Sequence, residues 1–216
     1  MPVNFVLATH SRACFMSGLL PLVQKATGLR RVVSVGAGTY EGPIDFDNFN
    51  CIGFPLLKQR DQVASIQTLF MEEMRRQAPG VSFIHTVPGV VKTGITREAT
   101  GLGMSIIIGI SNLLSPFIAT SSYETGERHV FAATNAIYSP DPKTSPLQGV
   151  QSGGLEVARG TNGKNCSGMY TVNHKGETSM AKAQLLEQFR KDGTAHKVWD
   201  VMDKDVKRIT GSGIGL

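Results

Sequence analysis

Arg60 and Asp61 stand side by side in "LLKQRDQV", a fixed cation next to a carboxylate. Arginine stays protonated at any ordinary pH and cannot act as a proton donor. It can stabilise a developing oxyanion, with the neighbouring carboxylate as its acid/base partner. The same pair also suits a surface ion pair opening a helix, with Asp61 as the N-cap. Upstream, "VVSVGAG" (residues 32–38) is a β-branched run that breaks into Gly-Ala-Gly. Such a turn either cradles a phosphate or ends a strand that carries a catalytic side chain. Downstream, "PGVVKTG" contributes Pro88 and Gly89, which shape a turn, and Thr93, whose hydroxyl suits a cap. Tyr40 offers either a loop phenol or a packing ring. His85, inside an apolar run, reads as a hydrogen-bonded core residue. His10, His129, His174 and His196 lack metal-ligand spacing, so no metal site is expected.

These residues need elements to hold them. Residues 4–25 read as a helix whose apolar face carries Val6, Leu7, Ala13, Cys14, Leu20 and Val23. "RRVVSV" is a short buried strand, followed by a long loop rich in Gly, Pro, Asp and Asn. Residues 61–78 form a second helix with Val63, Ile66, Leu69, Phe70 and Met74 on one face. "VSFIHTV" is the next strand and "PGVVKTGITR" a loop. Residues 124–137 read as a helix, 139–167 as a long surface loop, "GMYTVN" as a third strand and 179–208 mostly as helix. Strand, helix, strand, with the strands apolar throughout, calls for a parallel sheet covered on both faces. Helix 61–78 is then the right-handed crossover.

The chain of 216 residues, 41% hydrophobic and 18% charged, suits one globular domain with a sizeable core. Its net charge of +5 is scattered rather than striped, which argues for solvation and against a nucleic-acid partner. Three distant cysteines, Cys14, Cys51 and Cys166, form neither a disulfide framework nor a CxxC pair, so a reducing compartment such as the cytoplasm is expected. His10 and Arg12 interrupt the N-terminal apolar stretch where a signal peptide needs continuity. The uncharged stretch within 99–123 is broken by Ser111, Asn112, Ser115 and Pro116, which suits a substrate-covering helix better than a membrane span.

The run "RRVVSV…EGPIDFDNF…QTLFMEEMRRQAPGVSFIHTVPGVVKTGI", with the late "SGMYTVN", resembles the second half of a short-chain dehydrogenase/reductase. The likeness is closest to the retinol-dehydrogenase-like branch and its atypical fungal relatives in secondary metabolism. It implies an α/β fold, the C-terminal part of a Rossmann-type doubly wound parallel sheet with about three strands and flanking helices. It also implies NAD or NADP as cofactor and hydride transfer to or from a carbonyl or alcohol on a hydrophobic small molecule. Thr93 matches the threonine that contacts the nicotinamide carboxamide, after the turn at Pro88 and Gly89.

The catalytic positions depart from the family pattern. Ala37 stands where the family has serine, Arg60 where it has tyrosine and Ala64 where it has lysine. The helix asparagine falls near Ala8, with Asn4 one turn away. "VVSVGAG" is therefore read as a catalytic strand end without its serine, and "GLGMSI" lacks the spacing of the dinucleotide turn. The likeness implies a chain that starts just before the family's fourth helix, without its first four strands. Arg60 and Asp61 are then the candidate catalytic pair, and Pro88, Gly89 and Thr93 the candidate cofactor contacts. Residues 1–98 form the sheet core, 99–137 the substrate-covering helices, and 138–216 the last strand and C-terminal helix. A second hypothesis is a catalytically empty remnant or interaction module. Loss of a fourth-strand partner would leave "RRVVSV" on a bare edge, which favours homo-oligomers.

Overall fold

The computed structural model describes residues 1–91, 119–141, 149–151 and 153–214. In chain order the helices are α1 (Val3–Ala8), α2 (His10–Lys25), α3 (Leu56–Gln77), α4 (Ser122–Thr134), α5 (Ala183–Lys191) and α6 (Thr194–Thr210). The strands are β1 (Arg31–Val35), β2 (Ser82–Thr86) and β3 (Met169–Val172). They form a three-stranded parallel sheet in the order β1-β2-β3, as the apolar strand pattern requires. Val33 pairs with Ile84, and Ile84 with Tyr170, so β2 is central and buried along its whole length.

Alternation along the strands sends side chains to two cores. Val32, Phe83 and Met169 meet α3, α2 and α6 in the larger one, where Phe70 stacks on Trp199 with ring centroids 4.9 Å apart. Val33, Ile84 and Tyr170 meet Phe131 and Tyr138 on the α4 side. Arg31 ties that layer to the sheet: its guanidinium donates to the carbonyls of Ala132, Asn135 and Tyr138 at 3.1, 2.8 and 2.7 Å. Burial lowers its pKa to about 10, and the three carbonyls take the place of a carboxylate partner.

Several element boundaries differ from the sequence reading, and α4 runs Ser122–Thr134 rather than 124–137. The N-terminal helix is two helices, broken at Thr9, whose hydroxyl donates to the Phe5 carbonyl at 2.7 Å. Its buried face is Phe5, His10, Ala13, Met16 and Leu20, whereas Leu7 and Cys14 are exposed. The break at Thr9 turns the face away from the one that a continuous 3.6-residue period selects. Asp61 is no N-cap. Helix α3 starts at Leu56, behind Pro55, whose fixed φ suits a helix entry. Leu56 and Leu57 are exposed, so the first turn adds nothing to the apolar period that marks a helix in sequence. The C-terminal helix is also two, separated at Gly193, which has φ of 75°. Much of the expected substrate-covering segment, residues 99–118, lies outside the described residues.

Arg30 and Gly36 bond to β2, so by alternation Arg31, Val33 and Val35 turn their backbone groups to the other edge of β1. The Arg12 guanidinium caps the Val35 carbonyl there. Among the described residues no strand pairs with that edge. The stretch Val3–Lys25 is long and apolar enough to cross a membrane, yet 33% of its most apolar window is buried inside the fold.

Candidate functional site

The C-terminal ends of parallel strands are where open α/β sheets hold ligands. Here the end of β1 runs into Gly36-Ala37-Gly38, and the end of β2 into Val87, Pro88 and Gly89. The two glycines of the first turn serve packing. A Cβ on Gly38 would lie 2.2 Å from the His85 carbonyl oxygen, and one on Gly36 would lie 2.9 Å from His85 Nε2. The Ala37 N–H donates to His85 Nε2 at 3.2 Å. With that N–H engaged, this turn offers no ready phosphate nest. The described residues therefore do not fit the pyrophosphate of a dinucleotide at this turn, and no hydride step is derived through one.

His85 sets the turn through a buried chain of hydrogen bonds. Its Nε2 accepts from Ala37, so in the neutral ring Nδ1 carries the proton and donates to Thr68 Oγ1 at 2.8 Å. Thr68 donates on to Glu41 Oε1 at 2.7 Å, which also accepts the Thr39 N–H at 3.2 Å. Thr68 and Glu41 are fully buried, and His85 is 1% exposed. Burial lowers the pKa of His85 to about 3, and the Arg12 charge adds to this. Burial pushes Glu41 up, opposed by its hydrogen bond from Thr68. Both ring nitrogens of His85 are engaged, so it orients the turn and is no free proton donor. Helix α3 holds the rest of the long loop with further buried polar groups. Ser65 bonds both backbone groups of Gly42, and Gln62 Nε2 donates to the carbonyls of Asn48 and Phe49.

One turn N-terminal on α3, Arg60 donates from Nε and Nη2 to Asp61 Oδ1 at 2.8 and 2.7 Å. Its guanidinium also lies over the Tyr40 ring, 4.0 Å from the centroid. The structure thus brings Arg60, Asp61 and Tyr40 together at half-exposed positions beside the Gly36–Gly38 turn. Such a cluster can offer a cation to an oxyanion, weakened by the adjoining carboxylate.

Pro88 and Gly89 lie elsewhere. Gly89 has φ of 74°, and a Cβ there would meet the His174 side chain at 2.7 Å, so only glycine makes this turn without strain. With Val35 and Val91 they form one wall of a cleft of about 450 Å³, and Thr125 and His129 of α4 form the other. Arg60 and Asp61 do not line it. Thr93 lies outside the described residues. Sequence reasoning missed Thr125, His129, Glu41 and Thr68. The i,i+4 spacing of Thr125 and His129 was a usable signal, whereas nothing local ties Glu41 to a helix 27 residues on. Among the described residues no cluster of His, Cys, Asp or Glu could hold a metal ion.

No family model and no solved structure matches the chain. It is 34% identical over 212 residues to an oxidoreductase of Emericella nidulans, covering 94% of this chain and 62% of that protein. An oxidoreductase of Emericella variicolor is 30% identical over 97% of this chain and 62% of its own length. An NmrA-like family domain-containing oxidoreductase of an Aspergillus species is 30% identical over 88% of this chain and 52% of its own. The chain thus spans less than two thirds of the length of these curated relatives. A parallel α/β sheet with a cleft at its C-terminal strand ends is an arrangement on which such enzymes can be built. The homologues of this chain are fungal oxidoreductases.

Proposed function

We propose that the chain is the substrate-side part of an atypical short-chain dehydrogenase/reductase-like oxidoreductase. It acts on a hydrophobic small molecule in fungal secondary-metabolite biosynthesis, in the cytoplasm, with NADP or NAD as hydride carrier. The observation that carries this reading is the Pro88–Gly89 turn at the end of β2, over an apolar cleft. Likeness to fungal oxidoreductases supports the redox class. Pro88, Gly89 and Thr93 are the proposed nicotinamide contacts, with Thr93 toward the carboxamide. Arg60, with Asp61, is the proposed electrostatic group for a substrate oxygen. Because no proton donor stands at the tyrosine position, turnover is expected to be slower by about 10²–10⁴ than with one.

Deuterium transfer tests the reading. The 216-residue chain is incubated with millimolar 4-deuterated NADPH and a panel of apolar ketones and aldehydes, and products are analysed by mass spectrometry. Deuterium in product above the protein-free rate is expected. No transfer across the panel at millimolar cofactor contradicts the reading.

A further inference from the structure

We propose that the cleft between the β1 and β2 ends and α4 anchors its ligand by one non-reacting hydroxyl, and so selects apolar alcohols or phenols. The inference rests on reading this cleft as a small-molecule site. At about 450 Å³ the cleft is within the range of such sites. Beside it lies a second, nearly closed cavity of about 10 Å³, which shares Pro88, Thr125 and His129 with the cleft. That space takes about one water-sized group.

Two residues on its wall hold buried polar atoms that have no partner among the described residues. Thr125 is 9% exposed, and its Oγ1 is buried without a hydrogen bond; so is Nε2 of His129. The other ring nitrogen settles what Nε2 can do. His129 Nδ1 lies 2.7 Å from the Thr125 carbonyl oxygen, which can only accept. In the neutral ring Nδ1 therefore carries the hydrogen, and Nε2 is an acceptor. One α-helical turn separates the two residues, so they share a face of α4.

An unmet buried acceptor beside an unmet hydroxyl is costly to leave so. A single oxygen that bears a hydrogen meets both needs: it donates to Nε2 and accepts from Thr125 Oγ1. An ether, a ketone or a carboxylate cannot donate to Nε2. With apolar walls outside and room for one oxygen within, the complementary ligand is an apolar body carrying an alcohol or phenol. A water molecule is the competing occupant, and the ligand's hydroxyl takes its place.

The test uses two probes on the full chain, 1-naphthol and 1-methoxynaphthalene, in which a methyl group replaces that hydrogen. Calorimetry is expected to give about two- to twelvefold tighter binding of 1-naphthol, the range of one neutral hydrogen bond. In the ¹⁵N-labelled protein, 1-naphthol is expected to move the His129 Nε2 resonance, and 1-methoxynaphthalene to leave it in place. His129→Phe should erase the difference in affinity, and Thr125→Val should reduce it. The nitrogen resonance is read in the unmodified protein, so it decides even if a variant fails to fold. Equal affinity for the two probes, no binding of either, or 1-naphthol binding with a stationary Nε2 resonance overturns the proposal, the last leaving a water site only. Deuterium transfer is unaffected by any of these results, so the anchor and the oxidoreductase reading fail separately.

Discussion

Replacing Thr68 by valine removes one hydroxyl and keeps the shape. That hydroxyl is the only link between His85 Nδ1 and Glu41 Oε1 in the chain of bonds beneath the Gly36–Gly38 turn. His85 Nδ1 would then be unpaired and shut off from water, whereas Glu41 Oε1 keeps its bond from the Thr39 N–H. Each buried polar group left unsatisfied costs about 1–3 kcal/mol. Thr68→Val should therefore cost about 1–3 kcal/mol, a fall of roughly 2–12 °C in Tm for a domain of this size. Urea unfolding followed by circular dichroism at pH 7.5 measures it. Thr161→Val is the control: its hydroxyl donates to Glu72 at 2.6 Å, but Glu72 keeps two bonds from Arg190. The control should cost less than half as much. A Thr68→Val loss below about 0.5 kcal/mol would refute the assignment of this chain of bonds as the element that fixes the turn.

Other outcomes follow from the same groups and from the sheet edge. His85, with a folded pKa of about 3 against 6.5 unfolded, contributes stability above pH 6.5 that is lost as pH falls toward 3. The slope is up to about 1.4 kcal/mol per pH unit. His10, also lowered by burial, adds to that acid limb. Glu41 acts in the opposite sense, since its raised pKa makes stability fall as pH rises through its titration. Glu41→Gln should therefore steepen the acid limb of a pH–stability curve and flatten its alkaline side; an unchanged curve counts against the burial of an ionisable Glu41. Gly38→Ala should cost more than about 3 kcal/mol or abolish soluble expression, because its Cβ would lie 2.2 Å from the His85 carbonyl oxygen. Gly18→Ala in α2, with nothing within 4 Å, should stabilise by about 0.5–1 kcal/mol. The purified chain should self-associate through the open edge of β1 and the exposed side chains Phe15, Leu19 and Leu22 of α2. Light scattering should show Val35→Lys with Phe15→Lys shifting it toward monomer; a monomeric starting protein would rule the interface out.

Strand positions and the parallel sheet were legible because β2 and β3 are buried on both faces and so read as unbroken apolar runs. The start of α3 was not, since Leu56 and Leu57 are apolar yet exposed, and Pro55 rather than a polar cap precedes them. The break at Thr9 is set by side-chain bonds and by the packing of Phe5 against Phe49, a ring contact far along the chain. At the site, the adjacency of Arg60 and Asp61 and the turn at Pro88 and Gly89 were visible as motifs. That the two lie in different places was not, because it depends on where the loop to Pro55 folds back on α3. The Gly-Ala-Gly turn has its physical explanation in His85, 47 residues beyond Gly38, and no local pattern announces so distant a contact.

The proposed function puts nicotinamide chemistry at the C-terminal strand ends. Amide chemical-shift mapping of the labelled chain with NADPH tests it most directly. Perturbations are expected at Gly36–Tyr40 and Val87–Val91, with a Kd well above about 1 μM because the Gly36–Gly38 turn is occupied by packing rather than open to phosphate. Shifts confined to the opposite end of the sheet, around Glu72 and Arg190, or no shift at millimolar NADPH, would contradict it.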